Sequence, residues 1–167
     1  LLDEFLALAH HRENGLPGVI ARLFNTVGPR QTGAYGMVIP RFAGQALRGE
    51  ALTVYGDGSQ TRTFCHVQDA VDGLIGLMST PKTAGQVYNI GGRREITIRD
   101  LAQLVIDKAK SQSRIELIPF EKAYDENFED MARRVPDLNK THEAIGYEPQ
   151  RDIEQVVEDV LEFERGR

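Results

Sequence analysis

The chain has 167 residues, 41% of them hydrophobic, which is enough for one domain with a buried core. Asp and Glu (25) outnumber Lys and Arg (20), which excludes a broad nucleic-acid-binding face, because neutralising phosphates requires a basic surface. No run approaches the roughly 20 apolar residues of a membrane span, and the single cysteine cannot form an internal disulfide, so we expect a cytoplasmic protein without membrane partners.

The first 36 residues predict a helix followed by a strand. Apolar residues recur at helical spacing over residues 1–14, and Gly15 with Pro17 ends the repeat. Residues 18–24 are a short β-branched run that predicts a buried strand, and a Gly-rich loop at 32–36 follows. Because the opening helix has neither an initiator methionine nor a capping residue ahead of it, we expect the chain to be a fragment.

The remainder of the chain alternates predicted strands and helices. The predicted strands are 52–55, 61–67, 86–90, 96–98 and 114–119. The predicted helices are 38–47, 69–78, 100–110, 137–145 and 153–163. A glycine-containing turn at 56–58 separates the first two of these strands and suggests a β-hairpin. Asp69 and Asp137 are expected to cap the helices that they begin.

Residues 120–136 are polar and lack periodicity, which is typical of a functional loop or of one ordered by a ligand. The acidic run at 125–130 could mimic a cation cage, but a solvated loop is the expected structure. The four histidines have no HxxxH or HExxH spacing, so no metal site is predicted. Cys65 is expected to be a buried small hydrophobe, and His66 a hydrogen-bonded core histidine.

Three groups of polar residues could bind a ligand. Asn25 and Thr26 follow a predicted strand, and ligands of open α/β sheets bind at the carboxyl ends of strands, although Asn25 could merely cap its own turn. Arg62 could clamp a diphosphate, because guanidinium offers paired donors and keeps its charge, or it could be a solvated strand arginine. The adjacent Arg133 and Arg134 could hold an anion or form an ordinary surface pair.

Four segments together resemble the extended short-chain dehydrogenases that act on nucleotide sugars, the NAD-dependent epimerases and dehydratases. They are ARLFNTVGPR at 21–30, VYGDGSQTR at 54–62, VYNIGG at 87–92 and RVPD at 134–137. Their order and spacing match that family over nearly the whole chain. Residues 52–62 are most similar to enzymes of uridine-diphosphate sugars, of the UDP-glucose 4-epimerase and UDP-glucuronate decarboxylase types.

The resemblance implies a set of binding residues. The substrate-binding residues would be Asn25, Val38, Phe42, Tyr55, Arg62 and Arg134. Among them, Asn25 would contact the sugar or the diphosphate, and Arg62 with Arg134 would hold the diphosphate. Thr26 would lie nearer the nicotinamide of NAD.

The base of the nucleotide would be bound elsewhere in the same region. The resemblance implies that residues 38–42, together with Tyr55, line the base pocket. Asp69 and Asn89 would be scaffold residues that cap and pin turns.

The resemblance also implies an α/β fold in two parts. Residues 1–36 would be the last helix and strand of a Rossmann-like parallel sheet, and residues 37–167 a small mixed α/β substrate-binding region whose late elements return to the sheet. The NAD-binding half, with its Gly-rich loop and Tyr-x-x-x-Lys catalytic pair, would lie upstream, so no catalytic residue is expected in this chain. The open edge of the partial sheet predicts poor stability or association of this piece alone.

The intact protein is therefore expected to be an NAD-dependent epimerase, dehydratase or decarboxylase. It would work through a 4-keto sugar, with an upstream tyrosine as the base, and would form a homodimer at full length. Two alternatives stay open at this point: a non-catalytic module that binds nucleotide sugars, and a structural dimerising domain.

Overall fold

The computed structural model describes residues 2–33, 37–120 and 131–166, and shows the expected α/β architecture. The helices are α1 (Leu2–Asn14), α2 (Val38–Leu47), α3 (Val67–Met78), α4 (Ile98–Ala109), α5 (Asn139–Ile145) and α6 (Ile153–Arg165). The strands are β1 (Ile20–Leu23), β2 (Thr26–Val27), β3 (Leu52–Tyr55), β4 (Thr61–Thr63), β5 (Cys65–His66), β6 (Val87–Ile90), β7 (Glu95–Thr97), β8 (Ile115–Ile118) and β9 (Arg133–Arg134). The predicted loop at 32–36 lies partly outside the described residues, as does much of the predicted loop at 120–136.

Strand pairing is mostly parallel and joins distant parts of the chain. β1 pairs with β6, β2 with β5 and β3 with β8, each in parallel. β4 lies at the centre of a three-stranded sheet, between antiparallel β7 and parallel β9. Parallel neighbours require crossover connections, which the helices between the paired strands provide.

Two clusters of buried side chains form the core. The larger cluster joins α2, α4 and α6 around Phe42, Leu101 and Val157, which are fully buried. The smaller cluster lies beneath α3 and includes Leu77 and Tyr147. Because burying one large apolar side chain contributes about 1.5–3 kcal/mol, these clusters are the main source of stability. The two clusters alternate along the chain, and the boundary proposed between residues 36 and 37 stays a prediction.

The predicted hairpin between the strands at 52–55 and 61–67 is wrong. β3 pairs with β8, whereas β4 pairs with β7 and β9. The turn at 56–58 is instead bonded to the start of α4, where the N–H of Arg99 donates to the carbonyl of Gly58 and that of Ile98 to the carbonyl of Gln60, each at 3.0 Å. These bonds direct β4 onto β7 instead of back along β3.

The predicted cap at Asp69 is also wrong. The strand expected at 61–67 ends earlier, and α3 begins at Val67 because Nδ1 of His66 accepts from the N–H of Gln68 at 3.0 Å. Asp69 is buried in the first turn, where its carboxylate accepts from the N–H of Arg151 at 3.0 Å and from the guanidinium of the same residue at 2.5 Å. Buried carboxylates require such partners.

The cap at Asp137 is only partly as expected. The helix begins at Asn139, so Leu138 occupies the capping position, but the Asp137 carboxylate still accepts from the N–H of Asn139 at 2.9 Å. Asn89 donates to the backbone carbonyl of Asp137 at 2.9 Å, as a scaffold residue would.

The expectation that β1 is buried is wrong as well. Leu23 is 46% exposed, because the described chain covers β1 on the β6 side. α1 contributes no buried residue, and its Leu2, Phe5 and Leu6 are exposed. None of the described helices has both the length and the apolar character needed to cross a bilayer.

The expectations for Cys65 and His66 are confirmed. Cys65 is fully buried, with its Sγ 3.5 Å from the hydroxyl of Tyr147. Burial raises the pKa of the Cys65 thiol, and burial followed by the contact with Cys65 raises the pKa of the Tyr147 phenol. Both groups are therefore neutral near pH 7. His66 is buried, and its Nε2 lies 3.1 Å from a carboxylate oxygen of Asp159.

Gly92 allows the end of β6 to touch the backbone between β4 and β5. A Cβ at Gly92 would lie 2.0 Å from the carbonyl oxygen of Phe64. We expect Gly92→Ala to lower the free energy of unfolding by about 1–3 kcal/mol, because two backbones would have to separate. Gly18→Ala is the matched control, since nothing lies within 4 Å of its Cβ position. Urea titration measures both, and equal midpoints for the two variants would contradict the close approach.

Candidate functional site

The chain changes its pairing partner at Asn25. The N–H of Phe24 donates to the carbonyl of Ile90 at 2.9 Å, whereas the carbonyl of Asn25 accepts from the N–H of Cys65 at 3.1 Å. The backbone hydrogen bonds of the chain thus switch from β6 to β5 at one residue. Asn25 makes the required bend with a φ of 33°, a left-handed conformation that asparagine tolerates better than most residues.

The side chain of Asn25 holds this corner to β4. Its Nδ2 donates to the carbonyl of Thr63 at 2.8 Å, so the alternative in which Asn25 only caps its own turn is wrong. Asn25 also lines a cavity of about 120 Å³. Its predicted contact with a sugar or diphosphate stays a prediction.

Two of the buried polar atoms without partners belong to residues that line the cavity beside this corner. Among the described residues, the hydroxyls of Thr26 and Thr63, Oε1 of Gln31 and Nε of Arg41 are buried without a hydrogen-bond partner. Thr26 and Gln31 line the same cavity as Asn25, and Nε2 of Gln31 donates to the carbonyl of Thr26 at 3.0 Å. Each buried unpaired group costs about 1–3 kcal/mol, so the cavity favours a polar ligand group that would satisfy these atoms.

Arg62 and Arg134 are brought side by side by the parallel pairing of β4 and β9. Arg62 is the register partner of Arg134, and paired residues on strands about 4.8 Å apart project to the same face. Arg62 is partly buried and its Nη1 donates to the carbonyl of Met131 at 2.6 Å, unlike a solvated strand arginine. Two guanidinium groups at paired positions could both donate to one bound anion.

Arg134 also connects this pair to the corner at Asn25. Its Cζ lies 5.1 Å from the centroid of the Phe24 ring, within the range of a cation–π contact. Phe24 directly precedes Asn25. The structure therefore brings Asn25, Arg62 and Arg134 into one region, although they come from three separate parts of the chain.

Arg133 has a different role from its neighbour. Its Nε and Nη2 each donate to the carboxylate of Glu95 at 2.9 Å, and the hydroxyl of Thr61 donates to the same carboxylate. Because side chains alternate along a strand, this group lies on the face opposite Arg62 and Arg134. The Arg133 guanidinium, with the Thr61 hydroxyl, holds the pKa of Glu95 below its usual value, so the carboxylate is charged near pH 7.

A second part of the site lies between α2 and β3. The Cζ of Arg41 is 4.5 Å from the centroid of the Tyr55 ring and 5.4 Å from that of Phe42, and its Nη2 donates to the carbonyl of Thr53 at 3.0 Å. Tyr55 is half-buried and Val38 lines the cavity. Phe42 is fully buried, so its ring supports Arg41 and offers no open face to a ligand.

The sequence analysis included Arg41 only as one of residues 38–42 and did not name Gln31. The available signal for Arg41 was its position as the one charged residue in the apolar helix α2. Within the described ranges, no three His, Cys, Asp or Glu side chains converge where they could hold a metal ion. The acidic run at 125–130 lies outside those ranges.

A protein-family model and several curated proteins match this chain. Residues 3–91 match the model of the NAD dependent epimerase/dehydratase family. The chain is 41% identical over 165 residues to the UDP-N-acetyl-alpha-D-glucosaminuronate decarboxylase of Bacillus cytotoxicus, covering 98% of this chain and 51% of that protein. It is 42% identical over 146 residues to UDP-glucuronic acid decarboxylase 6 of Arabidopsis thaliana, covering 87% of this chain and 40% of that protein.

A solved structure shows the same fold. The UDP-glucuronic acid 4-epimerase of Bacillus cereus, in complex with UDP-glucuronic acid and NAD, superposes with a TM-score of 0.86 at 26% identity. The match covers 98% of this chain and 50% of the epimerase. The chain therefore spans about half the length, or less, of the relatives that it matches.

The Asn25 corner can be tested by comparing two substitutions. We expect Asn25→Ala to lower the free energy of unfolding by about 1–3 kcal/mol, because the Thr63 carbonyl loses its donor and alanine disfavours positive φ. Asn25→Gly loses the same hydrogen bond but accepts positive φ freely, so its loss should be smaller. Urea denaturation of both variants measures the difference, and a glycine variant less stable than the alanine variant would contradict a strained corner.

Proposed function

We propose that this chain, which belongs to the NAD dependent epimerase/dehydratase family, forms the nucleotide-sugar-binding part of an NAD-dependent enzyme acting on UDP sugars. The observation that carries the proposal is the pairing of Arg62 with Arg134 beside Asn25. In a protein of net charge -5, two arginines at paired positions form a local anion site. A diphosphate, with its paired negative charges, matches two guanidinium forks.

The region between α2 and β3 would bind the base. Tyr55 is half-buried and its ring is stacked by Arg41, which supports a flat surface against which a pyrimidine could lie. Val38 would contribute an apolar wall from the neighbouring cavity. Phe42 would contribute indirectly, because its buried ring supports the Arg41 guanidinium.

The residues of this chain also fit one end of NAD. The hydroxyl of Thr26 is buried and without a partner among the described residues, beside a cavity that Asn25 and Gln31 also line. Thr26 would offer that hydroxyl to the nicotinamide end of the cofactor. NAD bound there would supply the hydride acceptor for oxidation of the sugar at carbon 4 to a 4-keto sugar. The role of Asn25 and the two arginines is to hold the sugar and diphosphate in one orientation during that step.

Decarboxylation of a UDP-linked uronic acid is the reaction that we favour. Both decarboxylases named above are more than 40% identical to this chain, whereas the 4-epimerase is 26% identical. The chemistry is consistent, because a 4-keto uronic acid is a β-keto acid: the bond between carbons 5 and 6 breaks, CO₂ leaves, and the electron pair passes to the ketone as an enolate. Protonation of carbon 5 and return of the hydride then give a UDP-pentose.

The exposed apolar surface of α1 and β1 would be covered in the whole protein. Leu2, Phe5, Leu6 and Leu23 are all between 46% and 80% exposed. We propose that the cofactor-binding half of the protein packs on this surface and adds strands beside β1, and that the whole protein forms a homodimer. This half would also supply the catalytic tyrosine and lysine.

The reaction can be tested directly with the full natural polypeptide, NAD and UDP-glucuronate. We expect a UDP-pentose whose mass is lower than that of the substrate by one CO₂, detected by mass spectrometry and NMR. An epimer of unchanged mass would contradict decarboxylation but keep the family activity. Binding without turnover would favour the non-catalytic module, and no binding would favour the structural domain.

The diphosphate clamp can be tested by substitution in the same polypeptide. We expect Arg62→Ala and Arg134→Ala each to weaken binding of the nucleotide sugar by about 1.5–3 kcal/mol, the range for hydrogen bonds to charged groups. Arg48→Ala is the control, because Arg48 forms an exposed ion pair with Glu50 on another part of the surface. Calorimetric titration measures the affinities, and an unchanged affinity for Arg62→Ala would remove that residue from the clamp.

A further inference from the structure

Arg134 is carried by a strand of only two residues. β9 consists of Arg133 and Arg134, and the backbone bond that leads into it runs from the N–H of Thr61 to the carbonyl of Ala132 at 2.9 Å. So short a ladder contributes little pairing energy of its own, since an isolated two-stranded pair is marginal even when longer. Side-chain contacts must therefore help to hold Arg134 beside Arg62.

One carboxylate spans the whole three-stranded sheet. Glu95 of β7 accepts from the Thr61 hydroxyl of the central strand β4 and from the guanidinium fork of Arg133 on β9. We call Glu95, Thr61 and Arg133 the cross-sheet clasp. Arg133 contacts both carboxylate oxygens of Glu95, a bidentate arrangement that restricts orientation as well as distance.

The clasp and the diphosphate-binding pair occupy opposite faces of the same strands. Thr61 is the register partner of Arg133, and Arg62 is that of Arg134. A slip of one residue between β4 and β9 would turn Arg134 away from the site, because successive side chains point to opposite faces. The same slip would turn Arg133 away from Glu95 and break the clasp, so the clasp favours the arrangement in which Arg62 and Arg134 face the ligand together.

We propose that Glu95 is a positioning residue whose clasp keeps Arg134 in register beside Arg62. This inference rests on the proposed function, because it takes the two arginines to be the diphosphate site. Glu95 does not touch the ligand in this scheme. It acts through Arg133, on the face of the sheet away from the ligand.

The downstream side of β9 is fixed independently of the clasp. Pro136 packs against Gly91, where an added Cβ would lie 2.8 Å from its ring, and Asn89 donates to the carbonyl of Asp137 at 2.9 Å. Loss of the clasp would therefore loosen β9 at its upstream end, leaving there the bonds of Arg62 to Met131 and of Thr61 to Ala132, while the chain after β9 stays in place. The expected effect is a displaced Arg134, with the two hydrophobic cores intact.

The test compares two ligands that differ only in the diphosphate, UDP and uridine, on the full natural polypeptide. We expect Glu95→Ala to raise the Kd for UDP by about three- to tenfold, because apparent affinity falls with the fraction of molecules whose site is assembled. The Kd for uridine should change by less than about twofold, since the base pocket lies between α2 and β3. General unfolding would weaken the binding of both ligands alike. An equal loss of affinity for UDP and uridine would therefore overturn the positioning role.

Two further variants sharpen the result. Glu50→Ala is the matched control, because Glu50 forms the same kind of bidentate pair with Arg48, at 2.9 and 2.8 Å, away from the site. It should leave both affinities unchanged. The exchange Glu95→Arg with Arg133→Glu restores an ion pair of opposite polarity across β4, and we expect it to recover at least half of the lost UDP affinity on a logarithmic scale.

The outcomes separate this inference from the proposed function. If the unaltered protein binds UDP no more tightly than uridine, or if Arg62→Ala leaves the UDP affinity unchanged, the proposed diphosphate site is wrong and the inference fails with it. If Arg62→Ala lowers the affinity for UDP but Glu95→Ala does not, the diphosphate site stands and the positioning role of Glu95 is wrong. A selective loss of UDP affinity with recovery in the exchanged pair would support both.

Discussion

The site depends on a single bend in the backbone at Asn25. On one side of this residue the chain is hydrogen-bonded to β6, and on the other side to β5, while its side chain reaches the backbone of β4. The successive strands β4 and β5 and the more distant β6 are therefore tied to one residue in a left-handed conformation. Phe24 and Thr26, on either side of the bend, are placed by the same geometry, one against Arg134 and the other at the cavity.

Positive side chains lie together near the site, although the chain as a whole carries a negative charge. The strand register sets Arg62 beside Arg134, and the neighbouring Arg133 forms an ion pair with Glu95. Arg133 and Arg134 show both cases in neighbouring residues, one bound to Glu95 and the other in contact with an aromatic ring. Successive side chains of a strand point to opposite faces, which separates the two roles. Arg133 therefore stabilises the sheet, whereas Arg134 lies on the face of the site.

Local patterns predicted the helices well and the pairing of strands poorly. α2 has the predicted bounds of residues 38–47, because its apolar spacing and its packing agree. The hairpin between β3 and β4 failed, because the partners of these strands lie in β8, β7 and β9, and no local signal reports them. The start of α3 was misplaced for a similar reason, since Asp69 resembles a cap but is used by Arg151 from a distant loop.

Residues of the candidate site could be predicted where they lie in the segments that resemble the family. Arg62 and Arg134 were chosen from their segments, whereas their direct pairing emerged only from the register of β4 and β9. Arg41 was included only within the predicted range 38–42 and Gln31 was missed, because a buried atom without a partner is a property of the packed structure and not of a residue type. Phe42 was placed in the correct region, but its depth in the core could not be inferred from its spacing alone.

The contact between Arg62 and the carbonyl of Met131 has a consequence for folding. It joins residues that are 69 positions apart, so it forms only after a large loop has closed. The packing of α2 against α6 joins residues at least 106 positions apart, so the core and the anion-binding face both depend on bringing distant parts of the chain together. The anion-binding face is therefore a property of the folded chain as a whole, and no short segment of the sequence carries it alone.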